Sequence, residues 1–520
     1  MLKDGQPYWN HLGDEMYPTW FLHSFVMNGK ISGHVAAFGD MTGNVLCVLD
    51  APVGCGFHYR NAARRRRKPY YGMVCSDLKE QDIIMGGDAR LEKTVRDAYE
   101  RYKPELIVII PSPITDILNE DLFYVASRLQ TEGIPVIAAK SERFSLPDKD
   151  YVRSLMRERG KLKIGDDNHL EVDVSGCGFN EAMCAIVDQY MESDSKIEKS
   201  VNIETISWGI EGDQIIDEIE EFLNECGITV VSRIPNSSIE EIKQASSASL
   251  NLVSHFIKWA RRMKDRYGTD YLHMGESMRY DGLDGIALFY RDIAEKLDMT
   301  ESMEPLIANE YEKALAETTE ERALLASKKC ILACRGLQEV PAQIRIYAKL
   351  FGIQVTAVCV LWTEDMKRYY YVDDSLEKQF ENRLYDAVEL YSPRTQVYIN
   401  PSYEEFNSIS EGCDGIVGTN DFTLDGRGAP VIPAYYNTMA FSFPSYVRSI
   451  KRLAGCLSRT QEKKSLILNR MGISNIDPNL FPDTSHSASR EMWFKLWWDY
   501  DNPKKDVRGC CGARKKECCK

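Results

Sequence analysis

The sequence predicts an α/β fold built on parallel sheets. Three observations carry this. Short apolar runs rich in β-formers recur along the chain: Val45–Leu49, Leu106–Ile110, Val201–Trp208, Ile228–Ser232, Lys329–Cys334 and Gln354–Val360. Two of them, Val45–Leu49 and Leu106–Ile110, are apolar throughout rather than alternating, which suits strands buried on both faces. Most of them are followed within a few residues by glycine or proline, and helical stretches alternate with them along the chain. This strand–helix alternation is the signature of parallel sheets covered by helices.

The elements follow in order. Val45–Leu49 is a buried strand that Pro52, Gly54 and Gly56 end sharply. Gly54 and Gly56 flank Cys55, and glycine there permits positive φ and close approach of a ligand. A thiolate on a turn at the end of a parallel strand can hold a metal or metal–sulfur cluster. A buried free cysteine on a tight turn is the competing reading. Leu91–Tyr102 is a helix, Leu106–Ile110 a strand, Leu122–Glu132 a helix and Pro135–Ala139 a strand. Cys177, also glycine-flanked, leads into a helix over Glu181–Met191. Cys177 and Cys184 lie about two turns apart, near one helix face.

A second α/β unit opens near residue 201. Its helix, Asp213–Glu225, carries Ile215, Ile216, Ile219, Phe222 and Leu223 at helical spacing. Leu283–Leu297 and Ser302–Leu325 are helical, the latter long, highly charged and solvent-facing. A third unit begins at Lys329–Cys334 and continues through a helix over Ala342–Leu350 and strands at Gln354–Val360, Thr395–Asn400 and Gly415–Gly418 to a closing helix, Phe443–Leu457. Residues 1–30 form an aromatic arm. Residues 473–520 form an extension ending in Cys510, Cys511, Cys518 and Cys519.

Composition narrows the function. A chain of 520 residues with 44% hydrophobic residues can bury several cores. A net charge of −14 argues against general nucleic-acid binding, which prefers a basic face. No apolar run reaches the ~18 residues of a membrane span. The N-terminus lacks a signal-peptide core, so a cytoplasmic protein is expected. The 15 cysteines are scattered and read as reduced thiols and candidate metal ligands, not a disulfide framework.

Two longer motifs sharpen this. The first is Ala51-Pro-Val-Gly-Cys-Gly56, an Arg-rich segment containing Arg60 and Arg64, then Ser76-Asp-Leu-Lys-Glu-Gln-Asp-Ile-Ile-Met-Gly-Gly-Asp88. The second is Leu250-Asn-Leu-Val-Ser-His255. Together they resemble the nitrogenase component 1 superfamily. Its α-subunits carry Gly-Pro-Val-Gly-Cys-Gly, Ser-Asp-Phe-Gln-Glu-Lys-Asp-Ile-Val-Phe-Gly-Gly-Asp and Leu-Asn-Leu-Val-His-Cys. The resemblance spans most of residues 31–455 and is specific at 52–88 and 249–268.

The resemblance implies three Rossmann-like domains (31–200, 201–325 and 326–472) around a central cavity. It implies an iron–sulfur cluster at Cys55, with Gly54, Gly56, Arg60 and Arg64 on motif positions. It leaves room for a second metallocofactor of unspecified kind. Partners would be a β-like component 1 subunit and an ATP-dependent iron–sulfur reductase. His34 falls where the family has a cluster cysteine, and Ser112 where it has another. Cys75 is an additional candidate ligand outside the family set. Cofactor-side positions fall on His255, Tyr435, Arg335, Gln338, Cys184 and Asp188. The implied function is that of a catalytic α-like subunit of a nitrogenase-like oxidoreductase. Because the usual cofactor ligands are replaced, dinitrogen reduction on a standard molybdenum cofactor is not expected. A metallocofactor assembly scaffold or carrier is the alternative.

Overall fold

A computed structural model describes residues 30–39, 41–56, 73–140, 156–165, 178–192, 195–205, 212–253, 257–274, 278–418, 431–432 and 441–458. The first helix, α1 (Lys30–Gly39), leads into β1 (Val45–Leu49). Then follow β2 (Met73–Cys75), α2 (Glu80–Met85), α3 (Asp88–Tyr102), β3 (Leu106–Ile110), α4 (Pro113–Leu118), α5 (Leu122–Thr131) and β4 (Val136–Ala138). These strands form a parallel sheet in the order β2-β1-β3-β4. The strands β1 and β3 are buried along their whole length, as their unbroken apolar runs require. One face of the sheet packs Leu46, Val48, Ile107 and Ile109 against Leu91, Val95, Val125 and Leu129 of α3 and α5.

The other face is covered differently. Cys47, Leu49, Val108 and Ile110 share a core with α1, with α6 (Gly178–Gln189) and with the second unit. That unit contains β5 (Ser200–Glu204), α7 (Gly212–Glu225), β6 (Thr229–Ile234), α8 (Ile239–Gln244), β7 (Leu250–Val253), α9 (Lys258–Tyr267) and β8 (Asp270–His273). Its parallel order is β6-β5-β7-β8. Trp259 of α9 is fully buried in the core shared with the first sheet, and its indole N–H donates to Glu204 at 3.3 Å.

Helices α10 (Gly282–Lys296), α11 (Thr300–Glu317) and α12 (Thr319–Ala326) precede the third sheet. That part runs β9 (Lys329–Arg335), α13 (Val340–Ile344), β10 (Gln354–Leu361), α14 (Glu364–Tyr370), α15 (Asp374–Tyr391), β11 (Gln396–Ile399), α16 (Tyr403–Ser410), β12 (Gly415–Val417), β13 (Val431–Ile432) and α17 (Phe443–Leu457). The sheet order is β11-β10-β9-β12-β13, again parallel. One core joins the second and third sheets, running from Val201 and Leu252 to Val358 and Ile450.

Several elements differ from the sequence expectation. The helix expected over 302–325 is two helices. Thr318, fully buried, sits at the break and turns its hydroxyl back to the Ala314 carbonyl at 2.8 Å, a bond that competes with helix continuation. The charged stretch is not wholly solvent-facing, since Met303, Ile307 and Ala314 are buried. Helices α14 and α15 have no counterpart in the sequence reading. They start on Thr363 and Asp373, whose side chains accept from Met366 and Leu376 N–H. The sequence did carry a signal for α15, because Leu376, Phe380, Leu384 and Val388 are its buried face.

The contact between α1 and α6 tests the packing most sharply. A Cβ on Gly33 would lie 2.4 Å from the Phe179 backbone nitrogen and 2.8 Å from Gly178. Backbone cannot give way as a side-chain tip can. Gly33→Ala is expected to cost about 1–3 kcal/mol, read as a lowered midpoint in chemical denaturation.

Candidate functional site

The register of the first sheet sets up the site. Leu49 pairs with Cys75 on one side and Ile110 on the other, so β1, β2 and β3 end level. The loops beyond the carboxyl ends of parallel strands are where α/β folds bind ligands. Here three such loops are stitched together. Asp50 N–H donates to the Ile110 carbonyl at 3.0 Å, and Ser76 N–H to Leu49 at 3.0 Å. The Ala51 carbonyl accepts from Leu78 N–H at 3.1 Å and from the Cys75 thiol at 2.9 Å, while Ala51 N–H donates to the Ser76 hydroxyl at 3.0 Å. Asp77 takes left-handed φ (+57°), and its carboxylate accepts from Val53 N–H, which helps hold it below the usual range, after the larger effect of Lys79.

Cys55 sits on one helical turn over residues 53–56, closed by its N–H donating to Pro52 at 3.0 Å. Both Cys55 and Cys75 are half-buried free thiols. A Cβ on Gly56 would lie 3.6 Å from Cys75 Cβ and 3.8 Å from its Sγ, so the Cys75 thiol rests against the Cys55 turn. Burial chiefly raises the Cys75 pKa; the Asp77 N–H pulls it back, and the charges of Asp77, Cys55 and Asp50 push it further up. The turn corrects one expectation. Neither Gly54 nor Gly56 has positive φ, because the segment is helical. Gly54 instead faces open space.

The remaining expected residues are dispersed. His34 is buried on α1, the helix packed against α6. Ser112 does not offer a free hydroxyl. It caps α4, accepting from Thr115 N–H at 3.3 Å, while Ser112 N–H donates to the Thr115 hydroxyl at 2.8 Å. Arg60, Arg64, Cys177, His255, Tyr435 and the C-terminal cysteines lie outside the described residues, as do the N-terminal arm and the side chain of Arg335. The loop after Arg335 is described: Gly336 has φ +98°, and Gln338 folds over it so closely that a Cβ would meet its Oε1 at 2.3 Å. Nearby, buried Arg345 pairs with Asp281 at 3.0 Å. On α6, the Arg262 guanidinium of α9 reaches both expected cofactor-side positions, pairing with Asp188 at 2.8 Å and contacting Cys184. Among the described residues, no three His, Cys, Asp or Glu side chains form a metal-holding group.

Sequence reasoning missed one feature of this sheet end. Asp50 is fully buried, and among the described residues neither of its carboxyl oxygens meets a hydrogen-bond donor in bonding geometry. Its carboxyl neighbours that of Glu120, in the loop between α4 and α5. Burial first, then Glu120, push Asp50 up to about 8, with the Ser76 hydroxyl acting the other way. Glu120 accepts from Gly87 N–H at 2.9 Å. A Cβ on Gly87 would meet Glu120 Oε1 at 2.6 Å and Leu78 at 2.8 Å, so the Gly-Gly-Asp end of the first motif is the cradle for this carboxyl.

The geometry has a counterpart among known proteins. The family model of nitrogenase component 1 type oxidoreductases matches residues 31–149 and 172–419. That is well over half of the chain, and the chain belongs to this family. It is 25% identical over 335 residues to the nitrogenase molybdenum–iron protein alpha chain of Methanosarcina barkeri, covering 60% of this chain and 57% of that one. It is 27% identical over 293 residues to the nitrogenase iron–molybdenum cofactor biosynthesis protein NifE of a Nostoc species, covering 54% of each. It is 24% identical over 251 residues to a light-independent protochlorophyllide reductase subunit of Nostoc punctiforme, covering 44% of this chain and 43% of that one. The chain thus spans little more than half the length of the first two relatives. A solved structure described as nitrogenase Cp1 at pH 6.5 shares the fold, with a TM-score of 0.51 and 17% identity over 83% of this chain and 89% of that one. Among the described residues, no helix is long and apolar enough to cross a membrane.

Two outcomes follow from the site. The Cys47 and Cys184 thiols are buried and pushed up to about 12 mainly by desolvation, so they are poor nucleophiles. Iodoacetamide labelling of the native apoprotein, mapped by peptide mass, is expected to modify Cys55 and Cys75 well before these two. The second concerns pH. The folded state raises the Asp50 pKa from 3.8 to about 8 and so binds more protons than the unfolded chain between those values. Its contribution to stability is lost as pH rises through that window. Asp50→Asn is therefore expected to gain thermal stability over wild type as pH goes from 5 to 9, checked by melting curves across that range.

Proposed function

We propose that this chain is the α-like subunit of a nitrogenase-like oxidoreductase. It accepts electrons from an ATP-dependent iron–sulfur reductase and passes them through a cluster at Cys55 toward a substrate or non-standard cofactor. The observation that carries this is the closeness of the Cys55 turn to Cys75, the last residue of β2, at one end of the first sheet. Two soft thiolates supply half of a four-thiolate cluster set. Among the described residues His34, expected as a third ligand, does not join the two thiols in a metal-holding group, so the further ligands come from a β-like partner subunit. The same sheet end supports such a partner, because Val53, Ile84, Met85 and Ile117, from the loops or helices after β1, β2 and β3, are all largely exposed. When bound, an iron–sulfur cluster supplies one-electron storage.

The residues have distinct parts in this reading. Cys55 is the anchor on a turn whose outer side is open at Gly54. Cys75 is held as a thiol by burial, so ligation by it must release a proton. The Ala51 carbonyl, which accepts from that thiol, fixes where the sulfur sits. Arg60, Arg64, Arg335, His255 and Tyr435 belong to the substrate or cofactor side. With His255 and Tyr435 in place of the family's cofactor ligands, reduction of dinitrogen on a standard molybdenum cofactor is not part of the proposal.

A second reading, an assembly scaffold or carrier, is favoured by one observation. The match to a cofactor biosynthesis protein covers 54% of this chain, nearly as much as the 60% matched by the nitrogenase alpha chain. Substrate-dependent turnover with a cognate reductase separates the two.

The first test is iron and acid-labile sulfide in anaerobically purified protein co-expressed with its partner subunit. Both are expected in wild type and to fall to background in Cys55→Ala, with Cys75→Ser intermediate. Equal iron in wild type and Cys55→Ala would remove Cys55 as the anchor.

A further inference from the structure

We propose that Asp50 and Glu120 share a proton and form the proton-holding site of the Cys55 turn, taking up a proton when an electron arrives there. The redox half of this rests on the function proposed above; the shared proton does not.

The geometry comes first. Asp50 directly follows β1 and opens the loop that carries Cys55. It is fully buried, yet among the described residues neither carboxyl oxygen meets a donor in bonding geometry, and Glu120 Oε2 is likewise buried without one. Two carboxyl groups in contact without a donor between them cannot both ionise at low cost; one proton between them removes the repulsion and makes an O–H···O⁻ bond. Among the described residues, no cation is among the groups that act on Asp50. The groups that act on Asp50 are Glu120 from the loop before α5, Asp88 from the start of α3, and the neutral Ser76 hydroxyl after β2. Asp88 is itself raised, by burial and then by Glu120, Glu92 and Asp121, with Arg128 opposing. Arg128 is engaged by Glu92 at 2.8 Å. Glu120 keeps its second oxygen on Gly87 N–H, which fixes it in place whether or not the proton is present.

The position gives the pair its use. Asp50 lies close enough to the thiols that its charge acts on Cys75. That coupling is reciprocal: negative charge arriving at the thiols raises the proton affinity of the pair. The step balances. One electron comes from the iron–sulfur reductase, or from an electrode in the test, and would be taken up by the iron–sulfur cluster that Cys55 would hold. One proton comes from water, which leaves hydroxide, and forms an O–H bond on a carboxylate oxygen, while no bond within the protein breaks. Burial and Glu120 push Asp50 up to about 8, so below that pH its proton is already in place and net uptake appears above it.

The test uses the full chain purified anaerobically with its partner subunit, as wild type, Asp50→Asn and Glu120→Gln. Infrared spectroscopy at pH 7 should show a carboxylic acid C=O band in wild type that disappears by pH 10 and is absent in Asp50→Asn. Its absence from wild type overturns the shared proton. Electrochemical reduction at pH 9 in weak buffer, followed with a pH dye, should then take up about one proton per electron in wild type, and markedly less in both variants. Equal uptake in all three overturns the coupling. If no protein accepts electrons while the infrared band is present, the redox reading of Cys55 fails and the coupling falls with it, while the proton-sharing pair stands. Glu120→Gln keeps both measurements decisive if Asp50→Asn does not fold.

Discussion

The site depends on the parallel pairing of β1 with both β2 and β3. Parallel strands present their carboxyl ends on one side, and this register ends all three level. Each chain must then turn away from the sheet, leaving backbone groups that need partners. The Ala51 carbonyl takes up much of that demand, accepting from Leu78 N–H and from the Cys75 thiol. A thiol is thereby fixed against the next loop by a bond whose first purpose is to close the sheet end. Asp50 and Ser76 are drawn into the same edge, and Asp50 is sealed beneath it.

Around this edge the helices decide which faces are shared. The helix pair α1 and α6 packs so closely at Gly33 and Gly178 that backbone meets backbone. Trp259 of α9 then fills the space between the first and second sheets. A second core runs without interruption from the second sheet into the third. The three sheets are therefore not independent beads. A change at the α1–α6 contact is felt in the core on which Cys47 and Leu49 rest, and so at the foot of the Cys55 loop.

Much of this was legible in the chain. Fully apolar runs gave β1 and β3, because strands buried on both faces leave no place for polar residues. The closing helix Phe443–Leu457 falls where its pattern puts it. Other elements were hidden. Helix α15 was readable from Leu376, Phe380, Leu384 and Val388. The break at Thr318 was not, because whether a threonine caps or continues a helix depends on where its hydroxyl is buried. The glycines around Cys55 suggested positive φ, but a helical turn satisfies the same sequence. Ser112 stood at a ligand position, and only the structure reveals its hydroxyl committed to Thr115.

By itself the sequence determined the class: an α/β chain of parallel sheets with a thiol at a strand end, and a motif that places it among nitrogenase component 1 type oxidoreductases. Local composition and residue order suffice for that, since strand burial, turn chemistry and motif spacing are written along the chain. Only the tertiary structure decided that Cys75 lies against the Cys55 turn, that Arg262 ties Cys184 to Asp188, and that Asp50 meets Glu120. Each of these joins residues far apart in sequence. What makes each consequential is burial, through the loss of water around a thiol or carboxyl, and burial belongs to the packed molecule rather than to any stretch of the chain.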